Sequence, residues 1–172
     1  MYLITGPMAA GKSTVARLLA ERFERAVHLE GDLFRRSIVS GRVEMTPDPP
    51  AEALDQLRLR YRLAATAAQT YTAHRFTVVM DDVVAGPLLP EFLDLVDYRP
   101  LHVVVLLPSA EALAAREEAR SSRGYGAWRA AELRAVFVDE TPRLGLWIDS
   151  TNQTPAETVE AVIDRAKDAA IR

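Results

Sequence analysis

A short loop near the start of the chain constrains the fold more than any other feature of the sequence. An apolar segment, Tyr2 to Thr5, precedes it, and a segment with apolar residues at helical spacing follows it. The residues of the loop are Gly6, Pro7, Met8, Ala9, Ala10, Gly11, Lys12, Ser13 and Thr14. The first eight match the pattern G-x-x-x-x-G-K-[ST], which is typical of a phosphate-binding loop between a strand and a helix.

The fixed residues of this loop each serve phosphate binding. Gly6 and Gly11 allow the backbone to turn tightly and to approach an anion closely. The N–H groups of the loop and the start of the following helix attract phosphate. Lys12 reaches the β- and γ-phosphates, which makes it a catalytic candidate as well, and the hydroxyl of Ser13 ligates Mg²⁺. We therefore expect residues 6 to 14 to bind ATP with Mg²⁺. Of the 21 basic residues only Lys12 and Lys167 are lysines.

Strand and helix patterns alternate along the whole chain. Short apolar runs predict five strands, at residues 2–5, 27–29, 76–80, 102–107 and 144–148. Helical spacing predicts a helix in each connection, including a short one over 33–40 and a long one over 51–74. This alternation predicts an α/β fold with a parallel sheet between two layers of helices. The length of 172 residues and the lack of a linker predict one domain, 1–172.

Acidic residues follow two of the predicted strands, where ligands bind in open α/β sheets. Asp81 ends an apolar strand, which is the Walker B form of a residue that holds Mg²⁺ directly or through water. Asp82 is the alternative at this position. Asp32 follows the second strand and is a candidate for the general base that accepts the proton of an attacking hydroxyl. It is equally suited to cap the helix that begins at Leu33.

Arginines supply two further sets of candidates. Arg116, Arg120 and Arg123 share one helix face, which predicts a lid over about residues 116–128 that carries positive charge to the nucleotide. Arg116 is then a nucleotide-binding residue, and Arg120 and Arg123 are catalytic. A solvated helix end is the alternative. The candidates for binding an acceptor are Asp32, Arg35, Arg36, Arg58 and Asp82.

Composition limits the remaining classes of function. The net charge of -3 argues against a nucleic-acid-binding protein. The absence of cysteine excludes disulfides, thiolate catalysis and thiolate metal sites. No stretch reaches the roughly 18 apolar residues of a membrane span, so no membrane association is expected. We expect a cytoplasmic protein; a homodimer is one option for its assembly.

Several segments together resemble the small P-loop kinases, and most of all the chloramphenicol phosphotransferase-like proteins. Gluconate and shikimate kinases are similar at a greater distance. The resemblance rests on the phosphate loop, the pair Gly31-Asp32, the strand end Val79 to Val83, the strand Leu146 to Thr151, and the helix start Thr154 to Thr158. It extends over nearly the whole chain.

This resemblance implies a three-layer P-loop NTPase fold with a five-stranded parallel sheet in the order 2-3-1-4-5. It implies that Asp32 is the base, that residues 116 to 123 belong to a lid, and that the acceptor pocket lies in residues 33–75. It also implies that Thr151 and Asn152 lie near the adenine of ATP.

The leading hypothesis is an ATP-dependent phosphotransferase that moves the γ-phosphoryl group to a hydroxyl of a small molecule. A nucleotide-dependent switch or NTPase is the alternative from another class, although the chain lacks the Asn-Lys-x-Asp motif of GTPases. A nucleoside or nucleotide kinase and a toxin-type kinase of sugar nucleotides are further alternatives.

Overall fold

The computed structural model describes residues 1–119 and 128–171. In these ranges the strands are β1 (Tyr2–Thr5), β2 (Ala26–Glu30), β3 (Thr77–Asp81), β4 (Leu101–Leu106), β5 (Leu146–Ile148) and β6 (Ala170–Ile171). The helices are α1 (Lys12–Ala20), α2 (Asp32–Arg36), α3 (Ala51–Ala73), α4 (Leu88–Asp94), α5 (Ala110–Glu118), α6 (Ala130–Asp139), α7 (Pro155–Asp164) and α8 (Ala166–Ala169).

The sheet has the predicted order, β2-β3-β1-β4-β5, and all four pairings along this path are parallel. The carboxyl ends of the five strands therefore meet at one edge, where ligands bind in such sheets. A sixth strand was not predicted. β6 pairs antiparallel with the first residues of β4, at the opposite edge. Two residues after a helical pattern are too few to show the alternation by which strands are recognised.

The core lies on the three central strands. Leu3 and Ile4 of β1 are fully buried, and so are all three residues from Val78 to Met80 of β3 and all four residues from Val103 to Leu106 of β4. Helices cover the sheet: α1 contacts β3 and α7, α3 contacts β3 and α4, and α5 contacts α6. Burial of these strands on both faces explains their nearly continuous apolar sequence.

The helix ends follow the sequence signals with one exception. Ser109 accepts a hydrogen bond from the N–H of Ala112 at the start of α5, and Thr154 forms a capping box with Glu157 at the start of α7. The second helix is shorter than predicted, since it ends at Arg36 rather than Ser40. At this end the Ser37 hydroxyl donates a hydrogen bond to the carbonyl of Leu33, one of the backbone carbonyl groups in the last turn of the helix.

None of the helices in the described ranges combines the length and the apolar character needed to cross a membrane. The long predicted helix is α3, and its buried face includes Leu57, Tyr61, Ala64 and Ala68. Tyr71, near the end of the same helix, is 41% exposed.

Candidate active site

The phosphate loop lies between β1 and α1, at the carboxyl edge of the sheet. Gly6 has φ 145°, and a Cβ built there would lie 2.2 Å from the carbonyl oxygen of Leu106. Gly11 has φ 90°, and its would-be Cβ meets nothing within 4 Å. Gly6 therefore needs glycine for both its conformation and its close approach to β4, and Gly11 needs it for conformation alone. Lys12 Nζ donates a 2.9 Å hydrogen bond to the carbonyl of Pro7 across the loop.

Ser13 and Asp81 are joined at this edge. Ser13 Oγ, in the first turn of α1, donates a 2.7 Å hydrogen bond to Asp81 Oδ2 at the end of β3. The other carboxylate oxygen of Asp81 lies 2.6 Å from His28 Nε2 on β2. Asp81 is buried, and only 16% of the His28 side chain is exposed. The three side chains form one hydrogen-bonded row, in which His28 fixes the rotation of the carboxylate that faces Ser13.

Asp82 forms a buried ion pair directly behind this row. Its Oδ1 accepts hydrogen bonds from Arg60 Nη2 at 2.8 Å and from the N–H of Val83 at 2.7 Å. Burial raises the pKa of Asp82, while the charge of Arg60 acts in the opposite direction. Gly31 passes so close that a Cβ there would lie 2.1 Å from Asp82 Oδ2. Glycine before Asp32 is therefore required by the position of Asp82.

Asp32 lies at the start of α2, surrounded by arginines. Arg35 Nε donates a 2.6 Å hydrogen bond to Asp32 Oδ1, and Arg36 Nε is 3.5 Å from Oδ2. Partial burial raises the pKa of Asp32, but the hydrogen bond and charge of Arg35, with the charges of Arg36 and Arg60, lower it below its usual value. Asp32 is therefore ionised at neutral pH. It does not cap the helix: the cap residue is Gly31, and Asp32 stands in the first turn, where a negative charge is favourable.

A cavity of about 430 Å³ opens beside Arg35, the hydrogen-bond partner of Asp32. Its walls come from residues 35–49, the first half of α3, the segment 83–88 after β3, and α6 with Trp128. The segment after β3 is held in place by hydrogen bonds: Tyr61 Oη donates to the carbonyl of Val83 at 2.8 Å, and Val84 exchanges two hydrogen bonds with Thr5 Oγ1. Arg35 connects the cavity to the site, because it lines the cavity and binds Asp32.

The predicted acceptor arginines occupy different places. Arg35 and Arg58 line the cavity, and Arg58 binds Glu91 at 3.0 Å. Arg36 lies outside the lining; it is half-exposed and pairs with Glu30 and Asp32. Asp82 is buried under Arg60, which does line the cavity. The predicted roles of these residues in substrate binding stay predictions.

The other residues predicted to bind the nucleotide lie near the end of β5. Arg116 Nη2, on α5, donates to the carbonyl of Ser150 at 2.8 Å. Thr151 Oγ1 accepts a 2.7 Å hydrogen bond from the N–H of Ser109. Arg116 thus ties α5 to the loop that holds Thr151 and the exposed Asn152. Arg120, Arg123 and most of the predicted lid at 116–128 lie outside the described residues.

Two residues of the site, His28 and Arg60, were missed from the sequence. Arg60 follows Leu57 by three residues and precedes Ala64 by four, so its spacing placed it on the buried face of α3. A buried arginine at such a position requires a carboxylate partner. His28 is a polar residue inside a short strand, two positions before its end. Its partner could not be found without the pairing of β2 with β3.

The model of a protein family described as an AAA domain matches residues 1–137 of the chain. The chain belongs to this family. The match covers the phosphate loop, Asp32, Asp81 and the whole cavity wall as far as Val136. No curated protein matches the sequence of this AAA domain.

Solved structures with the same fold include several kinases. A sugar kinase from Janibacter sp. HTCC2649 has a TM-score of 0.72 at 16% identity, covering 98% of this chain and 94% of that one. A gluconokinase from Sinorhizobium meliloti 1021 has a TM-score of 0.64 at 22% identity, covering 98% and 92%. An APS kinase from Mycobacterium tuberculosis, in complex with AMPPNP and APS, has a TM-score of 0.64 at 15% identity, covering 96% of both chains. The resemblance to small P-loop kinases is confirmed for the fold of this AAA domain.

The donor groups of the AAA domain fit a magnesium nucleotide. Ser13 Oγ and Asp81 Oδ2 are hard oxygen donors 2.7 Å apart beside the loop. Within residues 1–119 and 128–171 no group of three or more His, Cys, Asp or Glu side chains could hold a metal ion. One or two protein oxygens of this kind are how Mg²⁺ is often held, with phosphate oxygens and water completing its shell.

Proposed function

We propose that this chain is an ATP-dependent kinase that transfers the γ-phosphoryl group of ATP to a hydroxyl of a small molecule. The observation that carries this proposal is the position of Asp32. Its carboxylate is bound to Arg35, and Arg35 is part of the wall of a cavity of about 430 Å³. A ligand-sized cavity is therefore connected through one arginine to an ionised carboxylate. A switch or a simple NTPase requires no such cavity.

Residues 6 to 14 would hold the triphosphate of ATP. The backbone N–H groups of the loop bind phosphate oxygens, and Lys12 exchanges its contact with Pro7 for the β- and γ-phosphates. Ser13 and Asp81 would hold Mg²⁺, with His28 keeping the Asp81 carboxylate in position. When bound, the ion neutralises negative charge on the phosphate oxygens. Asp81 is favoured over Asp82 for this role, because Asp82 is turned to Arg60.

Asp32 would act as the general base. An acceptor in the cavity places its hydroxyl against the Asp32 carboxylate, which takes the proton as the hydroxyl oxygen attacks the γ-phosphorus. The bond from the γ-phosphorus to the bridging oxygen breaks, and ADP leaves with that oxygen. Arg35 orients the carboxylate, and its charge keeps Asp32 ionised before the reaction.

The remaining predicted residues complete this proposal. Arg116 shapes the loop at Thr151 and Asn152, where the adenine would lie. Arg120 and Arg123 would stabilise the charge on the transferred phosphoryl group. Arg36, which pairs with Asp32, and Arg58, which lines the cavity, would be auxiliary substrate residues. Asp82 would act through Arg60, which also lines the cavity.

Mass spectrometry of reactions with Mg-ATP and pooled hydroxylated metabolites tests this proposal. We expect one compound to gain a single phosphoryl group. Asp32→Asn should lower the rate by about 10² to 10⁴, the usual contribution of a general base, without loss of ATP binding. Asp94→Asn, on the exposed side of α4, is the matched control and should leave the rate unchanged. Release of inorganic phosphate at the same rate without any acceptor would instead support an NTPase.

A further inference from the structure

The cavity lined by Arg35 also restricts the chemistry of the acceptor. Its volume of about 430 Å³ falls within the usual range for small-molecule pockets, about 300–1,000 Å³. The side chains that form most of its surface are apolar or aromatic, among them Val43, Met45, Leu54, Leu57, Tyr61 and Trp128. A small polyol would leave these side chains in contact with water, whereas a ligand with an apolar body would cover them.

The charged side chains that the structure describes in the lining are balanced. Three arginines, Arg35, Arg58 and Arg60, are matched by three glutamates, Glu44, Glu91 and Glu140, so their formal charges cancel. A site for an anionic ligand is instead expected to present positive charge that the protein has not already neutralised.

Each of these three arginines is already bound to a carboxylate. Arg35 Nη1 donates to both oxygens of Glu44, at 2.7 and 2.8 Å, and Arg35 Nε donates to Asp32. Arg60 binds the buried Asp82 at 2.8 Å, and Arg58 binds Glu91 at 3.0 Å. An anionic acceptor would have to displace one of these carboxylates. The displaced carboxylate would then lie beside the new anion without its partner, which is costly in a partly buried site.

We infer that the acceptor is an uncharged alcohol with an apolar body, and that anionic hydroxy acids are excluded. This inference rests on the proposed kinase function, because it assigns the cavity to the acceptor. The apolar body would lie between Leu54, Tyr61 and Trp128, and the hydroxyl would point along Arg35 to Asp32.

Four probes separate the two requirements, charge and apolar surface. Phenylpropanediol and phenyllactate share one carbon skeleton, but only the second carries a carboxylate. Glucitol and gluconate likewise differ in one carboxylate, but neither carries an apolar body.

The chain has two tryptophans, so Trp147→Phe leaves Trp128 as a fluorescent reporter inside the cavity. We expect phenylpropanediol to change Trp128 fluorescence at concentrations about tenfold lower than phenyllactate, since an unpaired buried charge is strongly disfavoured. Glucitol and gluconate should have no effect.

Substitutions in the lining should change this preference in two directions. Leu54→Asn places an amide in the apolar wall and should weaken binding of phenylpropanediol about tenfold. Leu59→Asn is the matched control, because Leu59 lies on the same helix, is 42% exposed and does not line the cavity. Glu44→Gln releases Arg35 from one carboxylate and should improve binding of phenyllactate several-fold.

Transfer of the γ-phosphoryl group to each probe, with ATP binding measured by calorimetry, separates this inference from the proposed function. Transfer to phenylpropanediol alone supports both. Transfer to gluconate or phenyllactate in preference to the diols overturns the inference and leaves the kinase proposal standing. Selective binding of phenylpropanediol with no transfer, although ATP binds, supports the cavity preference and counts against the kinase proposal. Equal binding of phenyllactate and phenylpropanediol, or no effect of Leu54→Asn, overturns the inference.

Discussion

Ser13 Oγ and Asp81 Oδ2 are joined by a 2.7 Å hydrogen bond, although the two residues lie 68 positions apart in the chain. The bond links the first turn of α1 to the last residue of β3. It brings together the residues of the phosphate loop and of the Walker B strand that were each predicted to hold Mg²⁺. Under the proposed function these two oxygens are the protein's ligands to Mg²⁺, and their position side by side lowers the entropic cost of binding.

The Ser13–Asp81 pair predicts a specific response to magnesium. Ser13→Ala and Asp81→Asn should each raise the Mg²⁺ concentration needed for half-maximal activity by about 10- to 100-fold. ATP binding measured without Mg²⁺ should change little, because the loop backbone is intact. Thr70→Ala, on the exposed side of α3, serves as the hydroxyl control. An unchanged magnesium dependence in both variants would exclude this pair from metal binding.

His28 is expected to position Asp81 rather than contact substrate. Its Nε2 lies 2.6 Å from Asp81 Oδ1, so His28→Ala frees the carboxylate to rotate. We predict a magnesium requirement about tenfold higher, as for other groups that orient a metal-binding side chain, with an unchanged KM for the acceptor. His74→Ala is the control, since His74 is exposed and its ring Nδ1 lies 2.9 Å from the carbonyl of Thr70, in the preceding turn of the helix. A change confined to the acceptor KM would contradict the positioning role.

Arg60 and Asp82 predict a strong effect on stability. Arg60→Met leaves the Asp82 carboxylate buried without its charged partner and should lower the free energy of unfolding by about 3–5 kcal/mol. The double variant Arg60→Met/Asp82→Leu removes both charges and should recover most of that loss. Urea denaturation followed by circular dichroism measures both. If the double variant is as unstable as the single one, the cost does not come from the unpaired carboxylate.

Asp32 predicts a stability difference that depends on pH. Its arginine neighbours lower the pKa of the folded state below the unfolded value of about 3.9. The folded state then binds the proton less tightly, so the stabilisation is complete above the unfolded pKa and is lost as the pH falls through the folded pKa. Asp32→Asn should lower the free energy of unfolding by about 0.5–1 kcal/mol at pH 7, since the ion pair of Asp32 with Arg35 is partly exposed.

Urea titrations of the wild type and Asp32→Asn at several pH values test this directly. The difference between the two proteins should shrink below about pH 4 and vanish at lower pH. A difference that stays constant, or grows, on acidification would show that the carboxylate is not stabilised by Arg35.

Much of this fold follows from local sequence signals. The strand order could be predicted because the phosphate loop fixes one strand beside one helix, and the resemblance to P-loop kinases fixes the rest. Thr154 and Glu157 marked the start of α7 correctly because a capping box involves only neighbouring residues. β6 was missed because its two residues are specified by the edge of β4, not by their own pattern.

The candidate site was predicted less completely, since its contacts join distant segments. Asp81 was found because it ends a recognisable strand. Its partner His28 comes from a neighbouring strand 53 residues away. Asp82 remained the alternative to Asp81 in the sequence. Alternation along the chain, with Arg60 bound to Asp82, separates their roles. The cavity depends on how α6 and the segment after β3 pack against α3, which no local pattern specifies.

The fate of the γ-phosphoryl group of labelled ATP tests the central claim most directly. The label is followed with increasing concentrations of an acceptor such as phenylpropanediol, in the wild type and in Asp32→Asn. The account predicts that the label appears on the acceptor hydroxyl, in proportion to acceptor occupancy, and that Asp32→Asn slows this transfer by about 10² to 10⁴ while ATP still binds. Label released only as inorganic phosphate, at a rate independent of every acceptor tested and of Asp32, would contradict it.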